Sequence, residues 1–294
     1  MNRRGFLLST GTVGLTACWP GGRPPAKPAR PRLRSRRNPT FRTITYNILA
    51  ARGYPERKEN RERLAQARPR MAERLALELA VYDADLITFQ ESPAEAMVAE
   101  IAGHLEMNYA WFPGGFPGSV LTSHKILSSV NRPAASGESL SDDLFSRHWG
   151  KATLQVGDRQ LVVYTAHLHP SRDELRAREC QAMVNSMADD LAAGHSVIMQ
   201  GDLNESPDNS PLYRQWNQSG LQDAFSGKGT GEGLTCNSTN PQVRIDYIWS
   251  AGPISQTLSQ CRVLAEGPFI DHPGDLAGFA LSDHLPVMAT FNWP

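Results

Sequence analysis

Short strand-like segments bordered by polar residues constrain the fold of this chain more than any other feature of its sequence. Six segments have this pattern: ITYN, LITFQE, VVYTAHLH, VIMQGDLN, RIDYIW and SDHLPV. Strands of this kind outnumber helices, and the long helical segments lie between strands rather than after each one. This arrangement favours a layered α/β or α+β sandwich over a barrel.

Hydrophobic periodicity places the main elements. Met71, Leu75, Leu79 and Tyr82 mark a helix with one apolar stripe, and a second long helix is predicted over 171–193, ended by Gly194. Two hairpins are predicted, one pairing 118–121 with 126–130 and one pairing 148–156 with 160–166 through a Gly-Asp turn. The other predicted strands are 41–48, 85–90, 196–200, 244–249 and 286–291.

The N-terminus is typical of an export signal. Arg3 and Arg4 precede the 12 uncharged residues Phe6–Ala17, a length that suits a signal peptide and is too short to span a bilayer. The Arg-Arg pair resembles the twin-arginine export motif, and Leu-Thr-Ala-Cys, ending at Cys18, resembles a lipobox whose cysteine is lipidated. We therefore predict a signal peptide over 1–18 and a membrane-anchored lipoprotein. A plain cleaved signal that releases a periplasmic or extracellular protein is the alternative.

The charge of the chain is unevenly distributed. Lys and Arg total 30, as do Asp and Glu, but residues 1–40 hold nine basic residues and no acidic one. Residues 19–40 also hold six prolines, which indicates an extended linker before a catalytic domain over 41–294. That domain keeps 21 basic and 30 acidic residues, a net charge of −9, and such a body is not suited to bind a polyanion by charge alone.

The cysteines indicate little metal or redox chemistry. Cys180 shares a helical face with Met183 and Met187, which predicts a buried free thiol. Cys236 and Cys261 flank the strand 244–249 and could pair as a disulfide, which the sequence leaves open.

Polar residues at the strand ends are the candidates for a site. Asp246 is the most informative, because a carboxylate inside an apolar strand needs a partner, and a histidine can be that partner. Hard oxygen ligands suit Mg²⁺ or Mn²⁺, and two histidines near such an ion suit hydrolysis of a phosphate ester. The candidates are Asn47, Glu91, His167, His169, Asp202, Asn204, Asp246, Asp283 and His284.

The ordered set TYN, QE, HLH, GDLN, RIDYI and SDHLP resembles the endonuclease/exonuclease/phosphatase superfamily over roughly residues 41–294. SVLTSHKI and the pair Arg178 and Gln181 match weaker family motifs. The resemblance implies a single catalytic domain with a four-layer α/β/β/α sandwich. It also implies a site at one end of the two sheets and metal-dependent hydrolysis of phosphate esters.

The resemblance also implies a role for each matched residue. Glu91 would be the main metal ligand, with Asn47 and Asp283 near the metal, while Asn204 would hydrogen-bond the phosphate. His284, supported by Asp246, would contact the phosphoryl group, and His167 would stabilise the transition state. Asp202 or His284 would take the proton from water, and the sequence leaves that choice open. His169 could contact substrate or solvent, and Arg178 is better explained as a structural clamp.

The predicted substrate is a small or lipid-linked phosphate ester, either a phosphodiester or a phosphomonoester. The negative body lacks the basic excess expected of a nonspecific duplex-DNA nuclease, and the short loops leave little room for an added recognition domain. An exported nuclease is the second hypothesis. An inactive lipoprotein that only binds a partner is the third, and the intact motifs argue against it. The enzyme is expected to be a monomer.

Overall fold

The structure is a computed structural model that describes residues 40–207 and 210–293. The predicted signal peptide over 1–18 and the linker up to residue 39 lie outside the described residues. All described residues belong to one compact unit. Among them, no helix combines the length and the apolar character needed to cross a bilayer.

Thirteen strands occur within the described residues. They are β1 (Phe41–Asn47), β2 (Leu86–Gln90), β3 (Asn108–Phe112), β4 (Gly118–Thr122), β5 (Lys125–Asn131), β6 (His148–Val156), β7 (Arg159–His167), β8 (Ser196–Asp202), β9 (Gln222–Asp223), β10 (Gly229–Thr230), β11 (Asp246–Ala251), β12 (Leu258–Val263) and β13 (Val287–Phe291). They form a seven-stranded sheet in the order β10-β12-β13-β1-β2-β4-β3 and a six-stranded sheet in the order β5-β6-β7-β8-β11-β9.

The same part of the chain forms six α-helices. They are α1 (Arg61–Ala67), α2 (Met71–Ala80), α3 (Glu95–Leu105), α4 (Asp173–Ala192), α5 (Pro211–Gln218) and α6 (Ala224–Lys228). The predicted stripes are buried: Met71, Leu75 and Leu79 in α2, and Cys180 and Met183 in α4. Burial of one apolar face, rather than helix propensity alone, holds such helices against a sheet.

Three apolar cores separate four layers. Leu75 of α2 and Ile101 of α3 pack with Ile44 and Phe89 of the seven-stranded sheet. A second core joins the inner faces of the two sheets, and a third joins the six-stranded sheet to α4 and α5. The predicted α/β/β/α sandwich is confirmed.

One predicted hairpin is confirmed and the other is wrong. β6 and β7 pair antiparallel, with His148 opposite His167, as predicted. β4, however, pairs with β2 and β3, while β5 pairs with β6 in the other sheet. Because β2 and β3 occupy both edges of β4, no edge remains for β5, and the chain crosses between sheets at this point.

The cysteines follow the prediction only in part. Cys180 is buried and free, as expected. Cys236 and Cys261 are also free, so the possible disulfide between them is absent. Cys261 lies on β12 in the core between the sheets, whereas Cys236 forms a β-bridge to His284 at the end of the sheets.

Candidate active site

Three adjacent strands of the six-stranded sheet place three of the predicted site residues side by side. His167 on β7 and Asp246 on β11 are each opposite Asp202 on β8, one in a parallel and the other in an antiparallel register. Gly201 permits the close approach of β7 to β8, since a Cβ at this position would lie 2.0 Å from the carbonyl oxygen of Ala166. The sheet therefore places Asp202 between His167 and Asp246.

Asp202 is the centre of the cluster. Its Oδ2 accepts a hydrogen bond from Nδ2 of Asn47 at 3.0 Å and lies 3.2 Å from Nε2 of His167. Nε2 of His284 lies 3.8 Å from the same oxygen. Asp202 is 1% exposed, so these partners, rather than water, surround the carboxylate. Asn47 comes from the other sheet, and the site therefore spans both.

Asp246 has the histidine partner that its sequence context predicted. Its Oδ2 lies 2.8 Å from Nδ1 of His284, and both residues are buried. This contact orients the ring so that Nε2 points towards Asp202. The other oxygen, Oδ1 of Asp246, is buried and has no hydrogen-bond partner within the described part of the chain.

The surroundings displace the pKa values of the three central groups. Burial and the charge of Asp246 raise the pKa of Asp202 to about 7, against the opposing effect of His284. Burial by itself would lower the pKa of His284, but the Asp246 carboxylate outweighs it and raises that pKa well above its ordinary value. Burial and the positive charge of Arg147 lower the pKa of His167 well below its ordinary value. At neutral pH, His284 is therefore charged, His167 is neutral, and Asp202 is close to its titration midpoint.

Arg147 is a site residue that the sequence analysis missed. Its Nη1 lies 2.6 Å from Nε2 of His167 and 3.3 Å from Oε1 of Glu91, and its guanidinium stacks on Phe116 with Cζ 4.3 Å from the ring centre. Its position in the sequence could have indicated that Arg147 lies at the site. Arg147 directly precedes β6, and the predicted β6–β7 hairpin brings the start of β6 beside His167.

The remaining candidates lie around this centre. Asn204 donates its side-chain N–H to the carbonyl oxygen of Leu168 at 3.0 Å, and its backbone N–H to Asp202 at 3.0 Å. Asp283 is partly exposed and is linked to Asn47 through Ser282, whose hydroxyl bonds to the carbonyl oxygen of Asn47 at 2.7 Å.

His169 and Arg178 have contacts of a structural kind. Nδ1 of His169 accepts backbone N–H groups from Ser171 and Arg172, at the start of α4. Arg178 pairs with Asp143 at the surface, and each side chain is about half exposed, at 52% and 50%. This pairing is the arrangement expected of a clamp.

Left-handed backbone conformations concentrate at the strand ends of the site. Glu91 has a φ of 47° and Asn204 a φ of 50°, and Leu49, Ala50 and Ala51, just after Asn47, have φ values of 48°, 48° and 57°. Non-glycine residues adopt such angles at an energetic cost, which the surrounding structure must offset. The strain indicates that these turns are held for the placement of Asn47, Glu91 and Asn204.

The cluster has the donor atoms for a metal ion. One ligand atom from each of Asp202, Asp246 and His284 lies within 4.8 Å of the others, so this group could hold an ion. The unpartnered Oδ1 of Asp246 is the kind of buried atom that a cation would satisfy. The oxygen atoms of Glu91 and Asn47 at the same end of the sheets are also ligands of the type that hard cations prefer.

A small cavity borders the site. It has a volume of about 190 Å³, and its lining includes Glu91, Arg52 and Phe116. Pockets for drug-sized ligands are generally larger, at roughly 300–1,000 Å³. The cavity therefore suits a small chemical group beside Glu91.

Comparisons with solved structures show that the fold is shared. An endonuclease/exonuclease/phosphatase family protein from Bacteroides thetaiotaomicron is similar over 87% of this chain and 98% of its own, with a TM-score of 0.64 and 15% identity. The mannosyl-6-phosphatase of the same organism matches 85% of this chain and 98% of its own (TM-score 0.63, 16% identity). D. rerio TDP2, solved with a single-strand DNA product, matches 86% of this chain and 99% of its own (TM-score 0.60, 17% identity).

Sequence comparisons assign the family. No curated protein matches the chain. The model of the Endonuclease/Exonuclease/phosphatase family matches residues 44–284, which include all nine candidate site residues from Asn47 to His284. Since the match covers most of the sequence and the fold agrees with it, the chain belongs to the endonuclease/exonuclease/phosphatase family.

Proposed function

We propose that this protein is an exported, lipid-anchored and divalent-metal-dependent phosphoesterase that hydrolyses a small or lipid-linked phosphate ester. Family members are generally hydrolases of phosphate esters. The observation that carries the proposal is the position of Asp202, buried between a charged His284 and a neutral His167. Groups with such different protonation states in one small volume are typical of acid–base catalysis.

In this proposal, Asp202 is the base. A carboxylate with a pKa of about 7 can accept a proton from an attacking water at neutral pH, whereas a charged His284 cannot. His284 instead donates towards the phosphoryl oxygen, and Asp246 holds its ring in position. Arg147 adds a fixed positive charge beside His167, where negative charge develops on the phosphoryl group.

Glu91, Asn47 and Asp283 would hold Mg²⁺ or Mn²⁺, whereas Asp202, Asp246 and His284 are assigned to proton transfer, because a protonated imidazole ring has no free lone pair for a cation. When bound, such an ion supplies positive charge that polarises a phosphoryl oxygen. Glu91→Gln keeps the shape of the side chain and removes its charge. We expect this variant to lose activity and to lose the protection against heat that Mg²⁺ gives the wild type. Wild-type activity at low metal would contradict this assignment.

The size of the substrate is inferred from the cavity and the charge. The cavity beside Glu91 is small, and residues 41–294 have a net charge of −9. The comparable similarity to a mannosyl-6-phosphatase and to TDP2, which was solved with a single-strand DNA product, leaves the class of ester undecided. The test is a panel of sugar phosphates, nucleotides, phosphoinositides, sphingomyelin and nucleic acids with excess Mn²⁺. His284→Ala should be inactive on the true substrate. His104→Ala, a variant of a partly exposed residue of α3 outside the candidate site, should retain activity.

An exported nuclease is the second candidate, and the basic linker favours it, because this segment could bind DNA by itself. The full chain should be compared with a variant in which Arg32, Arg34, Arg36 and Arg37 are glutamine. A body that neutralises six or more phosphates would give a slope of log affinity against log salt steeper than about −5. We expect a shallow slope in the variant. A steep slope together with rapid plasmid cutting would favour the nuclease.

Export and anchoring are tested in cells. Cys18→Ser should move the protein from the membrane fraction to the soluble exported fraction, or leave the signal uncut. Lys at both Arg3 and Arg4 should block export by the twin-arginine route. Continued export of that double variant would indicate the general secretory route instead.

A further inference from the structure

A second polar cavity lies between the α1–α2 pair and the segment 267–279. Its volume is about 240 Å³, and Arg63 of α1 and Arg74 of α2 contribute to its lining. The segment on its other side leads directly into Ser282 and His284 of the candidate active site. The cavity is thus a neighbour of the site along the chain but shares no residue with it.

Arg74 forms no ion pair within the part of the chain that the structure describes. Its guanidinium lies over the ring of Phe279, with Cζ 4.7 Å from the ring centre. Within residues 40–207 and 210–293 it has no hydrogen bond and no carboxylate within ion-pair distance. Burial lowers the pKa of Arg74 against the opposing charge of Glu78, and the charge of Arg63 lowers it further.

The acidic residues that line the cavity do not supply the missing partner. Asp271 is bound by both terminal nitrogens of Arg57 and by the hydroxyl of Thr239. Asp275 is exposed and accepts the backbone N–H of Ala277 at 3.2 Å. Arg63 makes one long hydrogen bond, at 3.4 Å, to the carbonyl oxygen of Ala277. Both arginines of the cavity therefore retain N–H groups for a ligand.

We propose that this cavity binds a phosphate group, with Arg74 and Arg63 as the charged donors. Guanidinium groups match the geometry of phosphate oxygens, and a small polar volume with two of them suits one tetrahedral dianion. The phosphate can be free inorganic phosphate or a second phosphate on a substrate whose ester lies at Asp202. Binding of free phosphate does not require the proposed function, whereas a second phosphate on a substrate rests on it.

The first experiment measures binding of inorganic phosphate to the full-length protein in EDTA, by calorimetry and by thermal shift. Arg74→Met keeps an apolar stem over Phe279 and removes the charge, so phosphate affinity should fall about tenfold or more. Arg70→Met is the matched control, because Arg70 is one helical turn away, is exposed, does not line this cavity and pairs with Glu73 at 2.9 Å. The control should bind phosphate as the wild type does.

Two results would overturn the proposal: no phosphate binding by the wild type at millimolar concentrations, or equal binding by the wild type and Arg74→Met. Should Arg74→Met fail to fold, Arg63→Met answers the same question from an exposed position.

A separate comparison identifies the source of the phosphate. In Asp202→Asn with Mg²⁺, the binding of a hexose monophosphate is compared with that of a hexose bisphosphate, with and without Arg74. Tighter binding of the bisphosphate only when Arg74 is present indicates that the cavity binds a phosphate of the substrate. Equal binding of the two sugars indicates free phosphate.

Discussion

Two neighbouring polar clusters lie between the two sheets of this protein. They differ in charge and in how completely their polar atoms are hydrogen-bonded. The first is a neutral network of threonine and glutamine side chains. Its members are Thr43, Thr45, Thr88, Gln90, Thr165 and Gln200, all of which are fully buried. The second is the charged cluster of Asp202, Asp246, His167 and His284.

The neutral network is closely hydrogen-bonded. The hydroxyl of Thr43 donates to Oε1 of Gln200 at 2.7 Å, and Nε2 of Gln200 donates to Thr88 at 2.9 Å and to the carbonyl oxygen of Ile44 at 3.0 Å. Gln90 links Thr45 and Thr165 in the same way. A satisfied neutral network of this kind stabilises one arrangement of the two sheets.

Strand geometry connects the two clusters. Residues two apart on a strand point to the same face, so Asn47 follows Thr45, His167 follows Thr165, and Asp202 follows Gln200. The neutral network is therefore the platform beneath the charged cluster. The comparison indicates that the platform contributes stability, whereas the charged cluster, in which Oδ1 of Asp246 has no partner among the described residues, is where we propose the chemistry.

The largest effect should come from the charged cluster. Asp202→Asn and His284→Ala should each lower kcat by about 10²–10⁴, the usual contribution of a positioned proton donor or acceptor. Steady-state kinetics on the substrate found in the panel measures this. Activity within a few-fold of wild type in either variant would mean that the cluster is not catalytic.

The pairing of Asp246 with His284 should appear as strong non-additivity. Asp246→Asn should lower kcat, because the ring of His284 loses the carboxylate that orients it. Once His284 is alanine, adding Asp246→Asn should cost little more, since the two residues act as one unit. The double-mutant cycle is the measurement, and additive losses would show that they act separately.

Substitution in the neutral network should lower the stability of the protein, whereas substitution in the charged cluster should lower kcat. Gln200→Leu removes three hydrogen bonds and leaves buried partners on both sheets unsatisfied, which should lower the free energy of unfolding by about 2–4 kcal/mol. Urea denaturation measures the loss, with the exposed Gln66→Leu as control. A stability equal to wild type would contradict the role of the network as a platform.

The smallest expected effect is on the free energy of unfolding, which the ionisation of the buried Asp202 carboxyl group should lower. Its pKa rises from 3.8 to about 7 on folding, so the folded state holds a proton that the unfolded chain releases in this range. The free energy of unfolding therefore falls as the pH rises from about 4 to about 7. Asparagine does not ionise, and in EDTA Asp202→Asn should exceed the wild type by about 1 kcal/mol or more at pH 8 but not at pH 4. Parallel pH profiles for the two proteins would contradict the raised pKa.

Much of the site could be predicted because its signals are local. A carboxylate at Asp246 in an apolar strand, or a histidine at the end of one, is visible within a few residues, and the order of these motifs identifies the family. The periodicity of α2 and α4 and the Gly-Asp turn between β6 and β7 are local in the same sense.

Only the tertiary structure determined the features that depend on contacts between distant segments. The exchange of β5 into the second sheet follows from the occupied edges of β4, and no periodicity within 118–130 encodes that. The bond between Thr43 and Gln200 joins residues 157 positions apart, and Arg147 reaches Glu91 from the opposite sheet. A sequence pattern reports which face of a strand is apolar, but the partner across the core is chosen by the packing of whole sheets, which is a property of the folded chain.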